Sequence, residues 1–215
     1  MIPEAFRLYS FSRRIGKGLR PAQKLLMSEA LPRYAIALPL TLPAGELWLE
    51  IGYGNGEHLA MQAKLHPEIN FIGCEPYING VVQMLKSIVT DDLKNIRLWN
   101  DDAITLLEQL PDHALTRIYI LFPDPWPKTR QQKRRIISDS TLDLLAKKMK
   151  PGGRLQLATD HVEYAEWMAE HLNRHALFTL HPENGRQPED WTKTRYQEKT
   201  EKEGRAPVFY LYQRK

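Results

Sequence analysis

The sequence predicts an α/β domain in which helices cover both faces of a parallel sheet. Short apolar runs alternate with longer helix-like segments from residue 47 to residue 172, and parallel strands joined by helical crossovers produce that pattern. Apolar residues make up 42% of the 215 residues and charged residues 26%, so a single domain can bury a sizeable core. This composition excludes a disordered tail, a collagen-like fibre and a coiled coil.

Each predicted strand is a short apolar run, and the predicted helices between them end at turn or breaker residues. The first five strands are predicted at Leu47–Gly52, Asn70–Glu75, Ile96–Trp99, Arg117–Phe122 and Arg154–Thr159. Helices are predicted at Glu57–Leu65, Ile78–Thr90, Ala103–Leu110, Ile136–Met149 and Val162–Leu172. Because the carboxyl ends of parallel strands hold the ligands in such sheets, we expect the chemistry just after each strand.

The two ends of the chain depart from this alternation. Residues 1–40 predict a basic arm with one helix, Pro21–Leu31, outside a single domain that spans residues 41–215. Ala176–Leu180 and Val208–Tyr212 are predicted as two last strands. No helix is predicted in the polar segment between them, and a connection of that length is usually functional or disordered.

Cysteine content and hydropathy predict a cytoplasmic protein. Cys74 is the only cysteine, so no internal disulfide can form, which favours a reducing compartment. The stretch Tyr34–Gly45 is too short and too broken by prolines to span a bilayer, and the first residues lack the basic and apolar regions of a signal peptide. We expect neither a membrane partner nor an obligatory protein partner.

The charge is unevenly distributed along the chain. Residues 41–127 hold twelve acids against five bases, whereas residues 128–215 hold eighteen bases against twelve acids, and residues 1–40 hold seven bases against two acids. This distribution indicates a site for a small cationic or hydroxylated ligand and a surface for a polyanion. Chance clustering on solvated faces explains the charge alone equally well.

A glycine-rich turn follows the first predicted strand and opens a helix, in the order Gly52-Tyr53-Gly54-Asn55-Gly56. Glycines there let the backbone turn sharply and approach a ligand closely. The spacing differs from the dinucleotide fingerprint, and Glu50 and Glu57 would repel a pyrophosphate. The turn therefore favours the cationic methyl donor S-adenosylmethionine, with an ordinary βα turn as the alternative.

Further acids follow the next two strands. Glu75 closes the second strand, where a carboxylate can accept hydrogen bonds from both hydroxyls of a ribose. Asp101 and Asp102 follow the third strand, where an adenine amino group would lie. Together with acids after three successive strands, the glycine turn indicates a methyl-donor site more specifically than the turn alone does.

The segment after the fourth strand, Leu121–Lys128, is the most informative. It contains three prolines in five residues, which fix the backbone and hold Asp124 and Trp126 at the carboxyl end of the strand. Trp126 offers a stacking face for a base, and Lys128 begins a run with five bases in eight residues, where phosphates can bind. A nucleobase in RNA needs such a pocket, although a rigid turn before a solvated basic helix has the same sequence.

Several of these segments together resemble the bacterial tRNA (guanine-N7-)-methyltransferase family. The resemblance covers nearly the whole chain in the same order. Its elements are Ser12-Arg13-Arg14 with Gln23, Leu49–Gly56, Phe122–Trp126, Lys128 with Lys133-Arg134-Arg135, Ala158-Thr159-Asp160 and Thr194-Arg195-Tyr196.

The resemblance implies a Rossmann-like class I methyltransferase fold, with a mostly parallel seven-stranded sheet, helices on both faces and a C-terminal antiparallel hairpin. It also implies methyl transfer from S-adenosyl-L-methionine to N7 of guanine in the tRNA variable loop, at position 46 in tRNA numbering, without a metal. The partner that it implies is tRNA.

Family positions can be carried over residue by residue. The resemblance assigns the methyl donor to Glu50, Glu75, Asp102 and the glycines Gly52, Gly54 and Gly56. It assigns catalysis and a donor contact to Asp124. It assigns substrate binding to Lys128, Asp160, Thr194, Arg195, Tyr196 and Gln197. Gln197 stands where the family has an acid, so the negative charge is missing at that position.

Three rival functions follow from the same residues. An amino-methyltransferase acting on adenine or cytosine would carry two consecutive prolines after the Asp, which Asp124-Pro125-Trp126 lacks. A non-enzymatic RNA-binding protein would not need acids at all three donor positions, and a nicotinamide dehydrogenase would need a different glycine spacing. His171 and His175 have the spacing of metal ligands on a helix, but without a third ligand they favour a surface helix.

Overall fold

The structure, a computed structural model, describes residues 14, 16, 18–188, 191 and 193–215. The strands are β1 (Leu47–Ile51), β2 (Asn70–Cys74), β3 (Ile96–Trp99), β4 (Leu115–Leu121), β5 (Met149–Thr159), β6 (Phe178–Leu180) and β7 (Val208–Arg214). The helices are α1 (Pro21–Tyr34), α2 (Glu57–Leu65), α3 (Ile78–Thr90), α4 (Ala103–Gln109), α5 (Asp139–Lys148), α6 (Val162–Arg174) and α7 (Arg195–Lys202), with a 3₁₀ helix at Thr129–Arg134. None of the described helices combines the length and apolar character that a membrane crossing requires.

The strands form one sheet in the order β3-β2-β1-β4-β5-β7-β6. The first five strands pair in parallel, and β7 runs antiparallel to both β5 and β6. This arrangement confirms the predicted mixed sheet with its C-terminal antiparallel pair. The chain proceeds outward from β1 to β2 and β3, then returns to β4 beside β1, and that reversal opens a crevice at the carboxyl ends of β1 and β4.

Two apolar layers enclose the sheet. On one face, α4, α5 and α6 pack against alternate strand residues such as Leu49, Ile118 and Leu157. On the other face, α1, α2 and α3 pack against Trp48, Phe71 and their neighbours. Helices on both faces are the predicted arrangement, and they leave the carboxyl ends of the strands as the open edge.

The predicted helix Ile136–Met149 is wrong at both ends. A 3₁₀ helix precedes α5, which begins only at Asp139, where the Ser138 side chain accepts a hydrogen bond from the Thr141 N–H. At the other end Met149 already belongs to β5, because it pairs with Leu115. The turn signal Pro151-Gly152-Gly153 therefore lies inside a strand, at a register irregularity opposite β4 rather than after a helix.

The predicted absence of a helix between the last two strands is also wrong. Thr194 caps α7 by accepting a hydrogen bond from the Gln197 N–H. The buried residues of α7 are Gln197 and Thr200, both polar. No apolar periodicity marks such a helix in the sequence, because hydrogen bonds rather than hydrophobic contacts hold its inner face.

The first described helix is packed onto the domain. Ala30 of α1 is buried in the same apolar cluster as residues of α3 and β3. The Ile36 N–H donates to the Leu98 carbonyl, which extends this attachment beyond the end of α1. The division into an arm of residues 1–40 and a domain of residues 41–215 stays a prediction.

Because α3 packs closely against the glycine turn, we expect that a side chain added at Gly80 would destabilise the fold. A Cβ atom at Gly80 would lie 2.2 Å from the Gly54 carbonyl oxygen, which is backbone and cannot move aside cheaply. We expect Gly80→Ala to lower the free energy of unfolding by about 1–3 kcal/mol, measured by urea denaturation. Gly18→Ala is the matched control, since a Cβ there meets no atom of the described residues within 4 Å. Equal stability of the two variants would contradict this packing.

Candidate active site

The glycine turn after β1 leaves open space above it. Gly52, Gly54 and Gly56 have φ angles of 75°, 57° and 83°, a region that favours glycine. A Cβ at Gly52 or Gly54 would meet no heavy atom of the described residues within 4 Å. The backbone conformation therefore requires the first two glycines, and none of the described residues fills the space beside them.

Glu75 anchors this turn to the end of β2. Its two carboxylate oxygens accept hydrogen bonds from the Gly54 N–H and the Tyr77 N–H, each at 2.9 Å. Burial raises the pKa of Glu75, the two N–H donors oppose that rise, and the carboxylates of Asp124 and Glu50 add to it. Since a carboxylate has about four acceptor positions, Glu75 retains capacity for further donors.

Glu50 is held by a residue that the sequence analysis missed. Its Oε2 atom lies 2.7 Å from Nδ1 of His58, and both side chains are almost completely buried. The His58 ring in turn packs on Tyr119 and on Trp191, with centroid distances of 4.7 and 5.3 Å. The position of His58 in the first turn of α2, directly after the glycine turn, is the sequence feature that could have identified it as the partner of Glu50.

Asp101 and Asp102 serve different local roles. The Asp102 side chain caps α4 by accepting a hydrogen bond from the Ile104 N–H at 2.8 Å, and it is buried. Asp101 is exposed and forms an ion pair of 2.7 Å with Arg14. Asp102 thus lies at the cleft edge predicted for the donor, while Asp101 holds a residue that precedes α1.

The proline-rich segment after β4 is strained at both ends. Phe122 and Trp126 have φ angles of 51° and 43°, which side chains rarely adopt. Inside the turn, the Nε atom of Arg135 donates to the Pro125 carbonyl at 2.8 Å. Such strain persists only where surrounding contacts hold the backbone, and it is typical of functional sites.

Arg135 is one of those contacts and is not free to bind phosphate as the basic run predicted. Its guanidinium is buried, stacks over the Tyr164 and Trp167 rings, and forms an ion pair of 3.0 Å with Glu163. Arg134 lies 4.9 Å over the Trp126 ring and covers one of its faces. The exposed cations of this run are Lys128, Arg130 and Lys133.

Asp124 differs from the other three acids of the cleft. Its carboxylate makes no hydrogen bond or ion pair with any residue in the described part of the chain. Partial burial raises its pKa. A carboxylate that faces the cleft without a protein partner is available to a ligand.

These features meet in one cavity of about 340 Å³ at the carboxyl ends of β1, β2 and β4. Its lining includes Gly52, Glu75, Asp124, Trp126 and Ala103, the residue after Asp102. The fold thus brings the predicted donor acid Glu75 and the predicted catalytic residue Asp124 into one cavity, whereas Glu50 and Asp102 are buried beside it and are not part of its lining. An acidic wall beside an open glycine turn suits a cationic ligand that also carries hydroxyl groups.

Asp160, after β5, meets the C-terminal segment. Its Oδ1 atom accepts a hydrogen bond of 3.3 Å from the Tyr196 hydroxyl, and its other oxygen forms an ion pair with Arg205. The Tyr196 ring also packs against Phe122 at a centroid distance of 5.3 Å. Arg195 reaches Glu57 beside the glycine turn at 3.4 Å. The segment predicted to bind substrate therefore borders the mouth of the cleft.

Gln197 points inward, away from this mouth. Its Oε1 atom accepts a hydrogen bond of 2.7 Å from the Trp191 indole, and its Nε2 atom donates to Glu201 at 2.9 Å. The residue is 1% exposed. A direct contact between Gln197 and a base would require both hydrogen bonds to break. Trp191, whose role the sequence left open, is an anchor of the loop against His58, Phe122 and Phe209.

Two other groups of predicted residues remain, the basic arm and the two histidines of the α6 segment. Residues 1–13, 15 and 17 of the basic arm lie outside the described residues. His171 stacks on Trp167, and His175 lies 3.1 Å from Asp143, so each histidine is used within the helical layer.

The fold and its acidic cleft define the class of protein. The structure superposes on the 16S rRNA methyltransferase KamB with a TM-score of 0.57 and 15% identity, over 94% of this chain and 98% of the other. A rRNA methylase from Streptococcus thermophilus gives a TM-score of 0.53 and 13% identity, over 93% and 99% of the two chains. A family model described as "Putative methyltransferase" matches residues 44–209. The chain therefore has a Rossmann-like methyltransferase fold.

Sequence relatives define the family within that class. The chain is 42% identical to the tRNA (guanine-N(7)-)-methyltransferase of Paramagnetospirillum magneticum, over 95% of this chain and 92% of the relative. It is 41% identical to the enzyme of the same name from Zymomonas mobilis, over 97% and 94%. The chain belongs to the tRNA (guanine-N(7)-)-methyltransferase family, which confirms the resemblance seen in the sequence.

The contacts of Gln197 predict the effect of restoring the acid of the family. In Gln197→Glu, a buried carboxylate would replace the amide that donates to Glu201 and would face that carboxylate directly. We expect the free energy of unfolding to fall by about 1–3 kcal/mol, measured by denaturant titration. Adding Glu201→Gln should recover most of the loss, because the new amide can donate to the carboxylate introduced at position 197. A single variant as stable as the wild type would contradict the assigned contacts.

Proposed function

We propose that this protein transfers a methyl group from S-adenosyl-L-methionine to N7 of guanine in the tRNA variable loop, at position 46 in tRNA numbering, and forms 7-methylguanosine. One observation carries the proposal. One cavity is lined by Gly52 of the glycine turn, by the engaged acid Glu75 and by the unengaged acid Asp124, in a chain that aligns over nearly its whole length with relatives named tRNA (guanine-N(7)-)-methyltransferase. With tRNA as substrate, the cytoplasm remains the expected compartment.

The residues of the cleft fit the methyl donor. When bound, S-adenosylmethionine supplies an electrophilic methyl group on a positively charged sulfur. Glu75 would accept hydrogen bonds from its ribose hydroxyls, Asp102 would border its adenine, and Glu50 would face its ammonium group. Gly52, Gly54 and Gly56 would provide the close backbone approach, and the negative wall would complement the sulfonium.

Guanine N7 carries a lone pair and no proton, so no side chain has to act as a base. The task of the protein is to hold the base in line with the methyl group. Methylation leaves a positive charge on the guanine ring. We assign Asp124 to the N1 and N2 edge of the base, where its carboxylate accepts hydrogen bonds and offsets that charge.

The mouth of the cleft would hold the RNA. Lys128 is exposed and placed for a phosphate, and Asp160, Thr194, Arg195 and Tyr196 border the same opening. Gln197 would contribute by fixing α7 through Trp191 and Glu201. The predicted basic arm would add a further polyanion contact.

Product analysis tests the proposed reaction. Purified protein is incubated with methyl-labelled S-adenosylmethionine and bulk tRNA from a strain that lacks the N7 activity, and the tRNA is digested to nucleosides. We expect the label in 7-methylguanosine. Label in a methylated adenosine or cytidine would support the amino-methyltransferase alternative, and tight tRNA binding without label would support a binding protein.

Asp124→Asn separates catalysis from donor binding. The amide keeps the size of the side chain but removes its charge, so we expect turnover to fall by about 100-fold or more. Affinity for S-adenosylhomocysteine, measured by calorimetry, should change by less than about twofold. Asp143→Asn is the control, because Asp143 lies on α5 and contacts His175. Equal large losses of turnover and of donor affinity would place Asp124 in the donor site instead.

The raised pKa of Glu75 predicts a pH dependence of donor binding. Ribose hydroxyls donate to the carboxylate, so affinity for S-adenosylhomocysteine should weaken as pH falls through the raised pKa, earlier than for an ordinary glutamate. Calorimetry from neutral to acidic pH measures this. Asp124→Asn should retain most of the slope. Glu75→Gln should bind weakly and lose most of it, and an unchanged slope in that variant would refute the assignment.

A further inference from the structure

A row of side chains crosses the sheet near the amino ends of its strands, on the face that α1, α2 and α3 cover elsewhere. Trp48 pairs in register with Arg117, Arg117 with Arg154, and Arg154 with Gln213. Two arginines are therefore direct cross-strand neighbours on the same face. Like charges in that position repel each other, so the arrangement needs a compensating interaction.

Arg117 has such an interaction within the protein. Its guanidinium carbon lies 4.2 Å from the centroid of the Trp48 ring, and its NH1 group donates to the Tyr119 hydroxyl at 2.9 Å. Arg154 is half-buried. No described residue forms a hydrogen bond or an ion pair with its side chain. The pair thus consists of one fixed cation and one cation that lacks a partner among the described residues.

The loop after β6 builds a wall over this row. Arg186, Gln187 and Pro188 close it into a cavity of about 360 Å³ that Arg117 and Arg154 also line. Arg186 is exposed and, like Arg154, has no ion pair within the described part of the chain. Of the acids among the described residues, Glu183 also lines this cavity and lies 3.7 Å from His181, and Glu46 nearby accepts a hydrogen bond from the Trp48 indole.

We propose that this groove, formed by Arg117, Arg154 and Arg186, is a second anion site, which binds phosphate groups of the tRNA backbone. Guanidinium groups bind phosphate through paired hydrogen bonds, and a phosphate between Arg117 and Arg154 removes their repulsion. The inference rests on the proposed tRNA substrate. It deepens that function by giving the RNA a second contact, on the opposite end of the sheet from the cleft.

Continuity with the active site favours a backbone phosphate over a free phosphate. The loop that carries Arg186 continues through Trp191 to Thr194 at the cleft mouth. Along β4, the four residue steps from Arg117 to Leu121 at the edge of the cleft correspond to about 13 Å. A folded tRNA is large enough to span that distance, so one molecule can occupy both places.

Charge-neutral variants test the site. We expect Arg154→Gln and Arg186→Gln each to weaken tRNA affinity about three- to tenfold and to lower the slope of log affinity against log salt by about one. Donor affinity should stay unchanged. Lys86→Gln, on an exposed position of α3, removes the same charge and should leave the tRNA affinity and the slope as in the wild type. Effects no larger than those of Lys86→Gln would overturn the proposal.

A shortened RNA distinguishes this groove from the cleft. A hairpin that carries only the target loop should bind the wild type and Arg154→Gln equally, because it cannot reach the groove, and a difference there would contradict the site. Titration with inorganic phosphate, followed by the Arg154 Nε resonance, separates the two sources of phosphate. Phosphate binding with unchanged tRNA affinity in the variants would overturn the RNA assignment. Failure of the wild type to bind tRNA at all would instead refute the proposed function.

Discussion

The convergence of four carboxylates at one edge of the sheet is the constraint on which the site depends. Parallel strands bring their carboxyl ends together, so Glu75 and Asp124 line one cleft, while Glu50 and Asp102 are buried at the ends of neighbouring strands. Such carboxylates repel one another and resist burial. The local structure around the cleft is the set of contacts that makes this concentration of negative charge tolerable before a cationic ligand arrives.

Three of the four acids are stabilised by the protein, each in a different way. Glu50 contacts the His58 ring, Glu75 accepts two backbone N–H bonds, and Asp102 caps α4. Asp124 has no comparable partner in the described part of the chain, and burial raises its pKa. The fold thus holds three acids in fixed positions and leaves the fourth within a strained turn. We interpret that difference as the division between donor binding and chemistry.

The sequence predicted the alternating sheet, the glycine turn and the placement of Glu75 and Asp124 at one cleft, because strand ends, breakers and glycine spacing are local signals. It did not predict α7, whose buried face is polar, or the strand residues around Pro151-Gly152-Gly153, where pairing with β4 overrides the turn signal. It also assigned Arg135 to phosphate and Gln197 to substrate. Both are buried: Arg135 is held by the distant Glu163, and Gln197 by Trp191 and Glu201 of its own polar segment, where no apolar pattern indicates a buried side chain.

The central claim is that the Asp124 carboxylate offsets the positive charge on methylated guanine. The most direct measurement compares the affinities of unmodified and 7-methylguanosine-containing tRNA, with S-adenosylhomocysteine present, in the wild type and in Asp124→Asn. The account predicts that the variant loses affinity for the cationic, methylated tRNA more than for the unmodified tRNA, by about tenfold if one charge-assisted contact is lost. An unchanged ratio of the two affinities would contradict the account and place the role of Asp124 elsewhere.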